Sequence, residues 1–384
     1  MHLCLQNNYF DGPLAETIKN FTSLTYLDLR TNLLKRIPEE LCSLVNLEYL
    51  DLSHNPDIYQ LPYCFRNLIK LKFLYLLCTG IQIIPEEVIS NLKELQVVDL
   101  RTWRAYRGGG CVKYNPTIFQ EFGTLYQLKA AGIEADGFTD YESLRDAANL
   151  PIRSLILGNL KETHAFCLSD ILSVDFARQT LYDLEIILSN MEQITVRQEP
   201  NYRFGTLSKL SLWFLVNMKE ITWVGRSPAS IFPGLTCLDV NSCSKLEHLS
   251  WVMYLPCLEQ LEARFCNNMK EAFPRTGHHG EIVSMDQENS RASDGTFPCL
   301  KYLRLSDNAN LATICGPDMT FPSLEQLVLT KSPELVRLPF QTRNRPLKLQ
   351  ELRFDNVESW DRLECADGVR SFLQPSLKFG YGTE

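Results

Sequence analysis

The chain has 384 residues, a formal net charge of -8 at pH 7, and 22% charged against 45% hydrophobic residues. An acidic balance of this kind gives no general attraction to nucleic acid or to an anionic membrane surface, and the longest apolar runs fall far short of the ~20 residues a spanning helix needs. Thirteen cysteines, an odd number scattered singly from Cys4 to Cys365, read as free thiols of a reducing compartment rather than as a disulfide framework.

From Leu24 to Leu100 one phrase is written four times: LTYLDLRTN, LEYLDLSHN, LKFLYLLCT and LQVVDLRTW. The leading leucines, Leu24, Leu47, Leu71 and Leu95, stand 23, 24 and 24 residues apart. A fixed period in the twenties carrying L-x-x-L-x-L-x-x-N is the signature of a leucine-rich repeat. The alternation Leu27, Asp28, Leu29 predicts a short strand with leucines inward and the aspartate toward water. Asn8, Asn32, Asn55 and Asn308 end such strands, where an amide can serve turn groups that burial would leave unpaired; Thr79, Cys243, Cys266 and Ser332 take the slot elsewhere. Ordering a residue costs roughly 1–2 kcal/mol and a buried leucine returns only about 1.5–3 kcal/mol, so one repeat cannot stand alone and stacking is obligatory. The expected fold is α/β: a leucine-rich-repeat solenoid, or horseshoe, with a concave parallel β-sheet and an irregular, partly helical convex side. One elongated domain is expected rather than several compact ones.

In chain order, residues 1–100 are regular repeats, opening on Leu3, Leu5 and Asn8 as the second half of a cut repeat. The start MHLCLQNNYF lacks a basic region and a long apolar region, so an intracellular chain is expected. The steps at Ile37-Pro38-Glu39-Glu40, Leu61-Pro62 and Ile84-Pro85-Glu86-Glu87 predict short return helices with proline at the first helical position. Residues 101–124 break the period. Gly108, Gly109 and Gly110 are not followed by Gly-Lys-Ser/Thr, so a phosphate loop is not expected; the stretch reads as an inserted flexible loop or as a protruding basic-aromatic tip of Trp103, Arg104, Tyr106 and Arg107 that touches a partner. Residues 125–234 carry longer, irregular repeats, with Leu181, Leu207 and Leu235 spaced by 26 and 28, and extra convex helix is expected there. Residues 235–384 change dialect to Phe-Pro or Leu-Pro starts (FPGLTCLDVNSC, LPCLEQLEARFC, FPCLKYLRLSDN, FPSLEQLVLTKS), with a polar insertion over 275–296. His278 and His279 within it lack a third ligand at useful spacing, so no metal is expected. In the closing segment, Trp360 and Leu363 are expected to cover the last repeat.

The sequence holds no Gly-x-Ser-x-Gly elbow, His-Glu-x-x-His or Cys-x-x-Cys, which argues against an enzyme. What the repeats build is a surface. About thirteen strands at ~4.8 Å would line a sheet some 60 Å long, and its outward positions collect aromatics and arginines of the kind that form binding hot spots. The candidates are Tyr26, Asp28, Arg30, Tyr49, Asp51, His54, Phe73, Tyr75, Asp99, Arg101, Trp213, Phe214, Glu262, Arg264, Phe265, Tyr302, Arg304 and Arg353.

LTYLDLRTNLLKRIPEELCSLVNLEYLDLSHN, followed by IQIIPEEVISNLKELQVVDL, FPCLKYLRL and FPSLEQLVL, resembles the leucine-rich-repeat region of plant intracellular disease resistance proteins of the coiled-coil, nucleotide-binding class. The resemblance runs over essentially the whole chain. Its distinctive part is the switch from Ile-Pro-Glu-Glu steps to Phe-Pro-x-Leu starts, with WDRLE near the end. It implies a cytoplasmic, nuclear or peripherally membrane-associated sensor that contacts a pathogen effector or a guarded host protein and restrains an upstream nucleotide-binding domain. The family's phosphate loop and Met-His-Asp motif do not occur here, so no cofactor is expected on this chain, and ADP or ATP would belong to that upstream domain. The resemblance therefore implies a fragment of a longer receptor or a truncated product. Two other readings stay open: a freestanding intracellular scaffold in a small GTPase or kinase pathway, and an extracellular ectodomain, which would require a leader and disulfides.

Overall fold

The computed structural model describes residues 1–9, 15–102, 117–137, 142–144, 150–160, 165–171, 175–197, 203–225, 227–274, 296–365 and 368–380. The tip residues Trp103, Arg104, Tyr106 and Arg107, and the pair His278 and His279, lie outside them. The chain divides into two compact units, the first made of Met1–Leu160 with Val174–Leu181 and the second of Lys161–Ser173 with Tyr182–Glu384.

In the first unit each leucine phrase becomes a short strand. β1 (His2–Cys4), β2 (Tyr26–Asp28), β3 (Tyr49–Asp51), β4 (Phe73–Tyr75), β5 (Val97–Asp99), β6 (Ala130–Asp136) and β7 (Ile152–Gly158) lie side by side in chain order, all parallel. The register sets equivalent residues on one another: Leu27 pairs with Leu50 and Leu50 with Leu74. These leucines, with Leu24, Leu47 and Leu71, are fully buried. A parallel neighbour at each edge satisfies the backbone, and the stacked leucines remove apolar area that a lone repeat would leave wet.

Asparagine closes each phrase with its amide. Asn55 Nδ2 donates to Leu29 O (3.0 Å) and Leu52 O (2.9 Å), and its Oδ1 accepts Leu34 N at 3.2 Å, so one side chain binds two successive repeats. Asn32 and Asn308 do the same in their own repeats. Among the substitutes, Thr79 Oγ1 donates within its own repeat to Leu76 O at 2.8 Å and Cys266 Sγ to Arg264 O at 3.5 Å, while Cys243 Sγ reaches Leu212 O of the preceding repeat at 3.5 Å. Burial pushes the Cys266 thiol up to about 12, which makes this turn cysteine a packing group rather than a nucleophile.

A residue past the end of many of the strands, three positions on after β2, β3 and β4 and one in the second unit, turns left-handed. Thr31, His54 and Cys78 in the first unit, and Phe214, Ser242, Phe265, Asp307 and Lys331 in the second, have φ between 50° and 58°. Each costs roughly 1–2 kcal/mol for an L-residue. The offset is that the turned N–H reaches a neighbouring repeat, as His54 N does to Leu77 O at 2.8 Å.

On the return path the prolines cap rather than enter the helices. Pro38 and Pro62 are extended N-caps of 3-10 turns over Glu39–Ser43 and Tyr63–Asn67. The helix Val88–Asn91 starts three residues after Pro85, and the buried carboxylate of Glu121 accepts from Glu87 N and Ser90 N, both at 2.9 Å. An acid at a helix start is favoured there. Stacking the first two turns brings Cys42 and Cys64 within 5.7 Å at their Cα atoms, and they form a disulfide. The reading of all thirteen cysteines as free thiols is corrected at this pair.

The second unit has the parallel order β9 (Asp183–Ile187), β11 (Lys209–Trp213), β13 (Cys237–Asn241), β14 (Gln260–Arg264), β16 (Tyr302–Ser306), β18 (Gln326–Thr330), β19 (Glu351–Phe354) and β20 (Leu377–Phe379). Its longer repeats carry short helices over Leu168–Ile171 and Pro228–Ile231. They also add a second parallel sheet of β8 (Ala165–Cys167), β10 (Gln193–Arg197) and β12 (Glu220–Val224), and further on β15 (Glu271–Phe273) and β17 (Thr313–Cys315) form a parallel pair. Ile194 and Val196 alternate into the core along QITVR, a pattern that suits a strand better than a helix. The Phe-Pro starts are also explained. Phe297 stacks on Phe321 at 5.1 Å and meets Phe273 at 4.9 Å, and Phe340 abuts Phe321 edge-on at 6.1 Å, forming an aromatic spine of consecutive repeats. Trp360 and Leu363 are buried in the closing segment, with Trp360 against Phe354 at 5.6 Å and the Arg370 guanidinium over its ring at 4.9 Å. Among the described residues no helix is long and apolar enough to cross a membrane.

Candidate functional site

Because leucines occupy alternate strand positions, the remaining positions form an outer face in straight rows. In the first unit one row runs His2, Tyr26, Tyr49, Phe73, Val97, and the next runs Cys4, Asp28, Asp51, Tyr75, Asp99, Gly132. The aromatic row is a stack. His2 and Tyr26 lie 5.1 Å apart, Tyr26 and Tyr49 4.2 Å, and Tyr49 meets Tyr75 at 5.6 Å and Phe73 at 6.0 Å. Tyr26, Tyr49, Phe73 and Tyr75 are all half-buried. Burial, reinforced by Asp51, raises the Tyr49 phenol well above its ordinary range, and burial likewise raises Tyr75. Both remain neutral hydrogen-bonding groups at physiological pH.

The acidic row differs from the expectation. Asp28 is 0% exposed and Asp51 5%, although the strand alternation places both toward water. Each carboxylate folds back to accept the N–H two residues on, Arg30 N at 3.1 Å and Ser53 N at 2.9 Å, so it serves the strand end. The arginines are engaged as well. Arg30 pairs with Asp28 at 3.1 Å and Arg101 with Asp99 at 2.8 Å, and Asp28 accordingly raises the Arg30 guanidinium further. Gly132 makes room for the second pair: a Cβ there would fall 2.5 Å from Asp99 Oδ1 and 3.1 Å from Arg101 Nε.

In the second unit the rows bring Asp239, Glu262 and Arg304 into register, as they do Gln260 with Tyr302 and Asn241 with Arg264. Trp213, Glu262, Arg264, Tyr302, Arg304 and Arg353 are half-buried on this face. Arg264 stands between two carboxylates, 3.5 Å from Asp239 and 3.5 Å from Glu262. Arg353 pairs with Glu351 at 2.6 Å. Three candidates leave the rows. His54 in the first unit, and Phe214 and Phe265 in the second, are left-handed residues past the ends of their strands, so each stands at a strand end rather than on the face. His54 is exposed, Phe214 half-buried and Phe265 44% exposed.

Asp239, Glu351 and Lys378 belong to this face and are absent from the sequence candidates. Asp239 was legible, since it holds in LTCLDVNSC the slot that Asp28 holds in LTYLDLRTN. Lys378 was not, because β20 lacks the L-x-x-L-x-L phrase. No group of three or more His, Cys, Asp or Glu side chains suited to a metal ion occurs among the described residues.

A profile described as leucine-rich repeat region matches residues 3–366. The chain is 27% identical to the probable disease resistance protein At1g61190 of Arabidopsis thaliana, over 98% of its own length and 35% of that protein. It is 25% identical to the disease resistance protein UNI of Arabidopsis thaliana, over 98% of its length and 38% of that protein. The chain thus spans little more than a third of the length of these relatives. Among solved structures, a leucine-rich repeat protein from Bacteroides thetaiotaomicron aligns with a TM-score of 0.46 and 15% identity, covering 99% of this chain and 42% of that one. The leucine-rich repeat domain of APL1 aligns with a TM-score of 0.44 and 16% identity, covering 95% and 80%.

Proposed function

Because the chain belongs to the leucine-rich repeat region family, we propose that it is a non-enzymatic recognition module of plant defence that binds protein on the outer face of its sheet. The observation that carries this reading is the half-buried stack of Tyr26, Tyr49, Phe73 and Tyr75 across successive strands. Rings already held by their neighbours lose little freedom when a partner covers them, which is what makes tyrosine effective at interfaces. The Asp28–Arg30 and Asp99–Arg101 pairs sit beside the stack and fix charged groups at its edge in the same way. The plant setting rests on the relatives' names alone.

In a full-length receptor, the same face or its strand ends would also restrain an upstream nucleotide-binding domain. ADP or ATP would be that domain's ligand, and no cofactor is assigned to this chain. The partner is a pathogen effector or a host protein, met in the cytoplasm.

The test is co-purification from plant cells of the chain and of a variant carrying Tyr26→Ala, Tyr49→Ala and Tyr75→Ala, with Leu347→Ala as a control at an exposed position outside the stack. Partners lost by the triple variant and kept by Leu347→Ala support the reading. Partners unaffected by the triple variant overturn the assignment of the face.

A further inference from the structure

The outer face of the second unit carries charge in two opposed imbalances. At β13 and β14, two carboxylates share one cation: Arg264 lies 3.5 Å from Asp239 and 3.5 Å from Glu262. At β19 and β20, two cations share one carboxylate: Arg353 and Lys378 lie 2.6 Å and 2.7 Å from Glu351. Between the two ends, Arg304 in register with Glu262 bonds the Ser306 hydroxyl at 3.1 Å and the Tyr302 phenol, and no carboxylate pairs with it among the described residues. Beside the acidic end, the fully buried Ser211, in register with Asp239, has a hydroxyl without a hydrogen-bond partner.

The protonation behaviour of the two ends agrees with this arrangement. Burial pushes the Asp239 carboxyl up, Glu262 adds to the rise, and Arg264 and Lys209 oppose it without cancelling it. Glu351 moves the other way, held down by the Lys378 hydrogen bond against its own burial, with Arg353 acting in the same direction. One end is short of positive charge and the other has it in excess.

We propose that this face takes an extended protein segment laid across the strands, with a lysine or arginine over Asp239 and Glu262, an aspartate or glutamate over Arg304 and another over Arg353 and Lys378. The segment's direction is thereby fixed. From β13 to β20 there are five strand spacings, about 24 Å at ~4.8 Å each, which an extended chain crosses in about seven residues at ~3.4 Å per residue. Charges in complementary order set the register of binding and exclude segments of the wrong polarity more than they add affinity. The inference rests on the proposed protein-binding role of the face and adds the chemistry of what it binds.

The test uses a display library of random twelve-residue peptides panned on the whole chain, and in parallel on Arg353→Glu with Lys378→Glu, and on Asp239→Asn with Glu262→Gln. The expected result is at least threefold enrichment of peptides carrying a basic and an acidic residue five to nine positions apart. Arg353→Glu with Lys378→Glu is expected to replace the acidic residue with a second basic one, and Asp239→Asn with Glu262→Gln to remove the basic requirement. Circular dichroism identifies any variant that has unfolded, and Arg304→Glu alone then serves in its place. Peptides that bind with no such polarity, but are lost on Trp213→Ala, overturn the inference and leave the binding face intact. Selected peptides that ignore every outer-face substitution overturn both.

Discussion

Tyr26 and Tyr49 stack with ring centroids 4.2 Å apart and 13° between their planes, one from each of two adjacent parallel strands. The contact exists because a repeat of 23 residues returns the chain to the same register, so that a tyrosine recurring at the same place in the phrase must meet its copy. The outer face is therefore as ordered as the leucine core beneath it.

A double-mutant cycle on Tyr26→Ala and Tyr49→Ala is expected to show a coupling of about 0.5–1.5 kcal/mol, the range for an aromatic pair beyond its buried area. Urea unfolding followed by tyrosine fluorescence would measure it. Strictly additive losses would mean that the rings share the face without supporting each other.

Asn55→Ala removes an amide serving Leu29, Leu52 and Leu34 at once. The expected loss is about 2–4 kcal/mol, since each buried group left without a partner costs about 1–3 kcal/mol. Hydrogen exchange should quicken first at Leu34 N. Asn8→Ala, at an exposed position, should cost less than about 1 kcal/mol.

Phe265→Gly separates folding from recognition. Glycine relieves the left-handed penalty of roughly 1–2 kcal/mol and loses about 0.5–1 kcal/mol to the freer unfolded chain. The melting temperature should hold or rise, while binding falls if the strand end is part of the interface. A clear fall in melting temperature would show that the ring packs as a structural element.

The pH response of Asp239 has a definite sign. Its folded carboxyl lies above its unfolded value because burial disfavours the charge, so its contribution is intact below the unfolded value and is lost as pH rises through the folded one. Asp239→Asn should therefore raise stability near neutral pH and give no gain well below the carboxylate range. Glu351 is depressed by Lys378 and Arg353, so Glu351→Gln should destabilise near neutral pH and converge with the parent as pH falls through the folded value. Unfolding midpoints against pH for both variants would establish the pair of opposite trends.

The Cys42–Cys64 bond joins two successive return turns. Alkylation of the native chain without reductant should leave these two cysteines unmodified, and Cys42→Ser with Cys64→Ser should cost about 2–4 kcal/mol relative to the oxidised chain. Labelling of Cys42 and Cys64 in the native chain would show that the bond does not form.

Where the phrase L-x-x-L-x-L-x-x-N is intact, strand, register, buried leucine and turn asparagine all follow from it, because each has a fixed place in the period. Leu27, Leu50, Leu74 and Asn55 occupy those places in the fold. The dialect change was legible as a change but not as a cause. Phe297 and Phe321 form a spine only because consecutive repeats superpose them, and one phrase read alone does not show its neighbour. The outer face was legible by position and less so by state. Period two places Asp28 outward, but the hydrogen bond to Arg30 N and the neighbouring rows decide that it is buried. His54, Phe214 and Phe265 depend on a single left-handed residue after the strand, for which a non-glycine side chain gives no warning. The pairing of Cys42 with Cys64 depends on two return turns stacking, and their spacing of 22 residues carries no signal of its own.

Site-specific photo-crosslinking tests the central claim most directly. A benzophenone amino acid placed at Tyr49, Tyr75 or Tyr302 reports on the outer face, and one at Leu33 or Leu347 reports on exposed positions off it. A recognition face predicts discrete protein adducts in plant cells from the first three positions that are missing from the other two. Adducts that are the same from both sets, or that arise only from Leu33 and Leu347, would contradict it.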